Sequence, residues 1–275
     1  MLEKLRFDGP PRKVAIVTGG GRGLGREMAL SLSDHGADVV IAARTQSQLE
    51  DTADFIAGRT GRRPLVVPTN VQSSEQMDAL VATTVAAYGR LDFMVNNAGI
   101  GDRRGSGSRI WDYDDDDWRD GQSVNLDSAM YGSRAAIRVF KQMGIPGAVV
   151  NVSSGTAMRS APDSLAYASA KAGVISLTKS VAAQVAGEGI RINCIVPGYV
   201  VQAPPETDEQ KSMIATRGRF NPIGRLGEAW ELGPLCVFLC SELAGYITGE
   251  SFVIDGGGIA GGIAPIDHNV TGVVS

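Results

Sequence analysis

Histidine and cysteine are scarce in this chain: among 275 residues there are only His35, His268 and the three cysteines Cys194, Cys236 and Cys240. An odd cysteine count at this spacing suits neither a disulfide framework nor a zinc site, so the thiols read as small buried hydrophobes in a reducing compartment. Two histidines so far apart in sequence lead us to expect no metal centre and no Ser–His couple. Long apolar runs are missing too. No window approaches the ~20 residues of a bilayer span, and no membrane partner is expected. Residues 1–13 alternate charge around no apolar core, which is not the pattern of a signal peptide, and the expected compartment is the cytoplasm. Nor is there an excess of positive charge: a net charge of −4 gives no basic field for nucleic acid.

Glycine, by contrast, is plentiful at 35 residues, and it gathers at motif positions rather than in low-complexity tracts. The length suits one domain over 1–275 with ample core. Short apolar runs at 14–18 (VAIVT), 37–43 (ADVVIAA), 65–69, 91–96 (LDFMVN), 148–153 (AVVNVS), 191–196 (RINCIV) and 251–254 read as strands buried on both faces. Between them, helical spacing covers 22–35, 48–58, 74–88, 117–143 with a break near Gly121, 165–187 and 228–241. This alternation predicts an α/β, Rossmann-type doubly wound parallel sheet with helices on both faces. Three stretches break the rhythm: 101–116, 199–227 and the tail, 258–275 in its outer part. The first two leave the carboxyl ends of strands, where ligands bind in open α/β sheets, so they are expected to border the site.

Residues 18–25, TGGGRGLG, join the first strand to the first helix. Glycines there let the backbone turn tightly and approach a pyrophosphate facing the helix N-terminus. Gly19, Gly21, Arg22, Gly23, Leu24 and Gly25 are therefore candidate cofactor residues. A carboxylate ~20 positions on normally holds the ribose 2′-hydroxyl of NAD. Here the second strand ends Ala42-Ala43-Arg44, with no acid at that point. Arg44 and Arg22 could instead clamp a 2′-phosphate, which favours NADP(H) and leaves NAD(H) as the alternative. Two solvated surface arginines are the competing reading.

Ser153 and Ser154 end the fifth strand; Tyr167 opens the next helix, and Lys171 follows four residues later in YASAK. An i,i+4 pair shares one helix face. A lysine ammonium there lowers the pKa of a nearby phenol, and a tyrosine so tuned can give a proton to a developing alkoxide or take one from an alcohol. A serine hydroxyl at the same oxygen adds a hydrogen bond for the growing negative charge.

TGGGRGLG, NNAG at 96–99, Asn125 in SVNLDSA, NVSS, YASAK and Pro197-Gly198 stand in the order and spacing of the short-chain dehydrogenase/reductases, which this chain resembles from about Lys13 to Gly257. The resemblance implies an oxidoreductase that moves a hydride between a nicotinamide dinucleotide and a carbonyl or alcohol carbon. Tyr167 would be its general acid/base. Ser154, thirteen residues before Tyr167 as is usual in the family, would orient the carbonyl in preference to Ser153. Lys171 would hold the nicotinamide ribose and tune Tyr167, and Asn125 would position a water in a proton relay. For the cofactor, Asn97, Ala98 and Gly99 would lie along the adenosine ribose, and Asn70 and Val71 would flank the adenine. Pro197 and Gly198 would support the nicotinamide, with the Val200 backbone at the carboxamide. The family usually has Asp where Asn70 stands, and a threonine where Gln202 stands. Tyr199 and Gln202, at the base of a long segment 199–227 expected to act as a lid, are candidate substrate contacts. A homotetramer is the assembly the resemblance implies.

Two further readings compete. One is a reductase of carrier-bound 3-oxoacyl thioesters, disfavoured because residues 102–120 carry four arginines against seven aspartates where an acidic carrier would want basic residues. The other is a non-catalytic dinucleotide sensor, which need not keep asparagine, serine, tyrosine and lysine together. The aspartate run at 112–117 reads as a solvated helix start.

Overall fold

The computed structural model describes residues 2–101 and 109–261. The outer part of the expected tail, from 262, and residues 102–108 of the stretch after the fourth strand lie outside the described residues.

The apolar runs pair as expected. β1 (Val14–Thr18), β2 (Asp38–Ala43), β3 (Leu65–Pro68), β4 (Phe93–Asn96), β5 (Gly147–Val152), β6 (Ile190–Pro197) and β9 (Ser251–Ile254) form one seven-stranded parallel sheet in the order β3-β2-β1-β4-β5-β6-β9. Every residue of β1, β4 and β5 is buried, because helices cover both faces and leave no solvent side for polar alternation. α1 (Gly23–Asp34), α2 (Gln46–Thr60) and α9 (Leu232–Cys240) close one face around Met28, Leu32, Ile56 and Val237. α3 (Ser74–Tyr88), α5 (Ser128–Met143) and α7 (Leu165–Val185) close the other around Leu80, Phe140 and Val185. This is the doubly wound architecture, with the strand order reversing between β1 and β4. The crevice at that switch point is where ligands enter such sheets.

Buried polar side chains tie the two central strands to the helix that follows them. The Asn96 amide donates to Asn151 Oδ1 at 2.9 Å, the Asn151 amide to Thr178 Oγ1 at 2.9 Å, and the Thr178 hydroxyl to Val174 O at 2.8 Å. β4, β5 and α7 are thus fixed relative to one another by buried hydrogen bonds, which are costly to break in a dry interior.

Three differences from the sequence reading have physical causes. The helix expected over 117–143 begins earlier, as α4 (Asp115–Gln122), because Asp114 caps it by accepting from the Asp116 and Asp117 amides at 2.8 and 3.0 Å. Asp115 and Asp116 pair with Arg119 on the same helix. The expected break at Gly121 is instead a widening: a π-helical turn, Ser123–Asp127, joins α4 to α5. Gly121 itself serves a close approach, since a Cβ there would lie 2.6 Å from that of Ala166 on α7. Finally, the segment 199–227 is closed at its base by a two-residue parallel pair that the sequence reading lacks, β7 (Val200–Val201) with β8 (Gly227–Glu228). Within it, α8 (Asp208–Gly218) is capped by Thr207 and Gln210.

Candidate active site

Glycines at the β1–α1 turn let helix and loop meet. Gly19 has φ +66°, and a Cβ at Gly25 would lie 2.2 Å from Gly19 O. No other residue type allows that approach, and it brings the N-terminus of α1 to the rim of a cleft of about 410 Å³. The floor of the cleft holds Gly19, Gly21, Leu24 and Gly25 from this turn, and Ala98 and Gly99 beyond β4. Pro197, Gly198 and Val200 line it beyond β6, and Asn70 and Val71 beyond β3. Arg22 and Arg44 line it as exposed side chains, neither of them in an ion pair among the described residues. Ser154, Tyr167 and Lys171 line its other end.

Gly99 is needed for the same reason as Gly25: a Cβ there would lie 2.7 Å from Asn125 Oδ1 and 3.1 Å from Lys171 Nζ. The cradle therefore exists only because two backbones lack side chains where they pass. Its charged lining consists of Arg22, Arg44 and Lys171, with no aspartate or glutamate among the described lining residues. A long bare trough with three cations and a helix N-terminus fits an elongated polyanion such as a dinucleotide.

Lys171 is 3% exposed and stitched twice to the end of β5: its ammonium donates to Val152 O at 2.8 Å, and Ser153 Oγ donates to Lys171 O at 2.7 Å. Burial pulls its pKa down to about 8, partly opposed by the neighbouring Cys194. Its Nζ sits 5.8 Å from the centroid of the Tyr167 ring. Burial pushes the Cys194 thiol up to about 11. Ser153 is thus spent on the helix backbone, which leaves Ser154, half-buried, as the strand-end hydroxyl facing the cleft.

Asn125 stands one layer behind. Its amide donates to Ile100 O and Gly121 O, each at 2.9 Å, and its Oδ1 accepts from Ile100 N at 3.1 Å. The side chain is a strut between the segment after β4 and the π-helical turn. Asn97 is likewise committed. Its Nδ2 donates to Thr18 O at 2.9 Å, while Thr18 Oγ1 accepts from the Asn97 and Ala98 amides at 3.1 Å each. Gln202 reaches back over the glycine turn, and a Cβ at Gly23 would lie 2.9 Å from its Oε1. Tyr199 is 56% exposed, with the Arg217 guanidinium 6.0 Å from its ring, and it does not line the cleft. Thr45, Gln48, Thr69, Gln72, Ile100 and Val124 also line it and were not singled out in the sequence. Thr45 follows Arg44 directly after β2 and Gln48 stands in the first turn of α2, and that nearness to Arg44 is the one signal that points to them.

The comparisons with known proteins agree with this geometry. Residues 19–258 match the family model described as enoyl-(acyl carrier protein) reductase. A short chain dehydrogenase/reductase, astE, of Aspergillus oryzae is 34% identical over 248 residues, 89% of this chain and 94% of its own length. The 3-oxoacyl-[acyl-carrier-protein] reductase FabG of Haemophilus influenzae is 35% identical over 247 residues, 89% of this chain and 97% of its own. Among solved structures, a putative short-chain alcohol dehydrogenase from Sinorhizobium meliloti 1021 superimposes with a TM-score of 0.84 at 32% identity, covering 93% of this chain and 98% of that one.

The depressed pKa of Lys171 has a measurable consequence. Between about 8 and 10.5 the folded state holds this amine neutral while the unfolded state protonates it, so the unfolded chain binds more protons. The contribution of Lys171 to stability therefore rises with pH across that window, by at most roughly 1.4 kcal/mol per pH unit. Denaturant titrations of the wild type and of Lys171→Met from pH 7.5 to 10.5 check this: the difference in unfolding free energy should climb in favour of the wild type. A flat or falling difference would show that the buried amine keeps its ordinary basicity.

Proposed function

This chain belongs to the short-chain dehydrogenase/reductase family, oxidoreductases acting on CH–OH and C=O groups, and from that premise we propose that it moves a hydride between NADP(H) and a carbonyl or secondary alcohol, with Tyr167 as general acid/base. The observation that carries the cofactor choice is the acid-free cleft lining, in which Arg22 and Arg44 are exposed and unpaired among the described residues where a ribose-binding carboxylate would otherwise stand. When bound, the dinucleotide supplies or accepts the hydride. Tyr167 gives its phenolic proton to the substrate oxygen in the reducing direction and takes it back in the other. Ser154 donates a hydrogen bond to the same oxygen as its charge grows. The Lys171 ammonium faces the Tyr167 ring and favours its phenolate, and Asn125 holds the segments that meet behind it.

The 3-oxoacyl thioester reaction is the second reading, favoured by the similarity to the Haemophilus 3-oxoacyl-[acyl-carrier-protein] reductase. A homotetramer in the cytoplasm completes the proposal. Val253, 42% exposed on the edge strand β9, is an apolar side chain suited to such a contact, and light scattering reads the assembly directly.

The segment 199–227 enters this reading as a lid over the substrate. It is anchored at its base by the β7–β8 pair and by Arg225, which grips Glu231 through two hydrogen bonds of 2.8 Å. Beyond that base, α8 is held loosely: only Gly218 is buried and Ile214 half-buried. An element with so few apolar contacts opens at low free energy, as a gate must.

Tyr167→Phe removes the proton donor and keeps the ring, so turnover should fall by at least ~10²-fold while dinucleotide binding persists. Near-normal turnover would sink the acid/base role. Specificity constants with both dinucleotides should favour NADP(H), and Arg44→Asp should shift preference toward NAD(H) by roughly ten- to a hundredfold, the weight of a charge-assisted hydrogen bond. A wild type that prefers NAD(H) would reduce Arg22 and Arg44 to surface charges. Amide exchange across 208–218 should slow when dinucleotide and a substrate analogue are added together. Exchange that is already slow in the free protein and does not change would rule out the lid.

A further inference from the structure

Ser154 Oγ is an acceptor before any substrate arrives. The Thr156 hydroxyl donates to it at 3.0 Å and the Thr156 amide at 3.3 Å. A serine hydroxyl offers two lone pairs and one proton. With both lone pairs filled, the only valence left to Ser154 is its own O–H, so it meets the cleft as a donor. That is the polarity required to stabilise an oxyanion, and donors on its oxygen also polarise the O–H.

Thr156 is the first residue of α6 (Thr156–Arg159), a single turn whose other end is anchored far away in sequence. Arg159 Nη1 donates to Gly258 O at 2.5 Å. The carbonyl belongs to a turn built on Asp255, whose carboxylate accepts from the Gly257 amide at 2.9 Å and the Ile259 amide at 2.7 Å. The same turn passes the beginning of α6, where a Cβ at Gly155 would lie 3.9 Å from Ile259 Cδ1. Directly after Arg159, Ser160 sits at φ 62°, ψ 168°, a region that residues with a Cβ rarely occupy. Its neighbours must hold it there, and the Arg159 contact is one that spans the gap to another element.

We propose that Thr156 is a positioning residue that fixes the Ser154 hydroxyl as a hydrogen-bond donor, and that the turn after β9 holds Thr156 in place through Arg159. The proposal rests on the reading of Ser154 as the carbonyl-orienting serine. It extends that reading to two residues outside the family motif and gives the end of the described chain a part in the reaction.

Thr156→Val keeps the shape and the amide donor and removes the hydroxyl. Turnover should fall roughly three- to tenfold, the effect of one neutral hydrogen bond, with dinucleotide affinity and melting temperature unchanged. Thr156→Ser should restore turnover. Arg159→Ala should lower it in the same direction, and Arg159→Lys should recover part of the loss. The deciding measurement is a double-mutant cycle. In a Ser154→Ala background, Thr156→Val and Arg159→Ala should cost nothing further. An undiminished loss in that background, a loss that tracks melting temperature or dinucleotide affinity, or no loss in the wild-type background overturns the proposal. Unchanged turnover in Ser154→Ala alone overturns the catalytic role of Ser154, a separate failure visible before either second substitution is made.

Discussion

A lysine ammonium shut away from water has to find acceptors, and at Lys171 the acceptor is the last carbonyl of β5. The return bond from Ser153 to the Lys171 carbonyl makes the attachment reciprocal, so the strand end and the first turns of α7 cannot slide past each other. Ser154 is the next residue along the chain, just beyond β5, and Tyr167 lies one turn back on the helix. Their mutual placement is a consequence of this pair of bonds. Burial has two opposed effects on this lysine: it drags the pKa down to about 8, and it keeps water from screening the charge where it faces the Tyr167 ring.

Around that anchor the molecule is organised by what it leaves out. Parallel strands end together at one edge, and the turns leaving β1, β3, β4 and β6 all contribute backbone to the trough. Its width depends on missing side chains at Gly25 and Gly99, and its electrostatics on missing carboxylates. Two polar side chains beside it are turned to the protein instead, Asn97 on Thr18 and Asn125 on Ile100 and Gly121. Backbone amides, the buried Lys171 and two exposed arginines therefore line the trough, and the fixed backbone suits a ligand held in one pose.

Much of this could be read from the sequence, for a definite reason. The glycine turn, the serine pair at a strand end and Tyr167 with Lys171 are local patterns whose chemistry follows from spacing along one strand or one helix. The same locality made the sheet legible, since strands buried on both faces need continuous apolar runs. What escaped depends on contacts between distant segments. Nothing near Asn97 or Asn125 says that their amides are already occupied, and nothing near Arg159 points to Gly258, ninety-nine residues away. α6 has one turn and no periodicity to detect. The widening at Ser123–Asp127 occurs in a stretch whose composition reads as ordinary helix, displaced by two residues from the glycine that looked like the break.

The two walls of the substrate end differ in mechanical character, and the difference bears on how one fold serves many substrates. The wall carrying Ser154 is braced on both sides: its Gly155 amide donates to Pro197 O at 2.8 Å, and Arg159 ties its far end to the turn after β9. The wall formed by 199–227 is fixed at its base and where the Ile223 amide donates to Gly256 O at 3.1 Å, while α8 between them stands almost wholly in solvent. Chemistry demands a fixed hydroxyl, because a donor misplaced by an ångström loses most of its worth. Recognition of a variable substrate demands the opposite. On the proposed reading, reacting groups on the braced wall and a helix standing in solvent on the other would let substitutions in 208–218 alter what is bound without disturbing proton transfer at Tyr167.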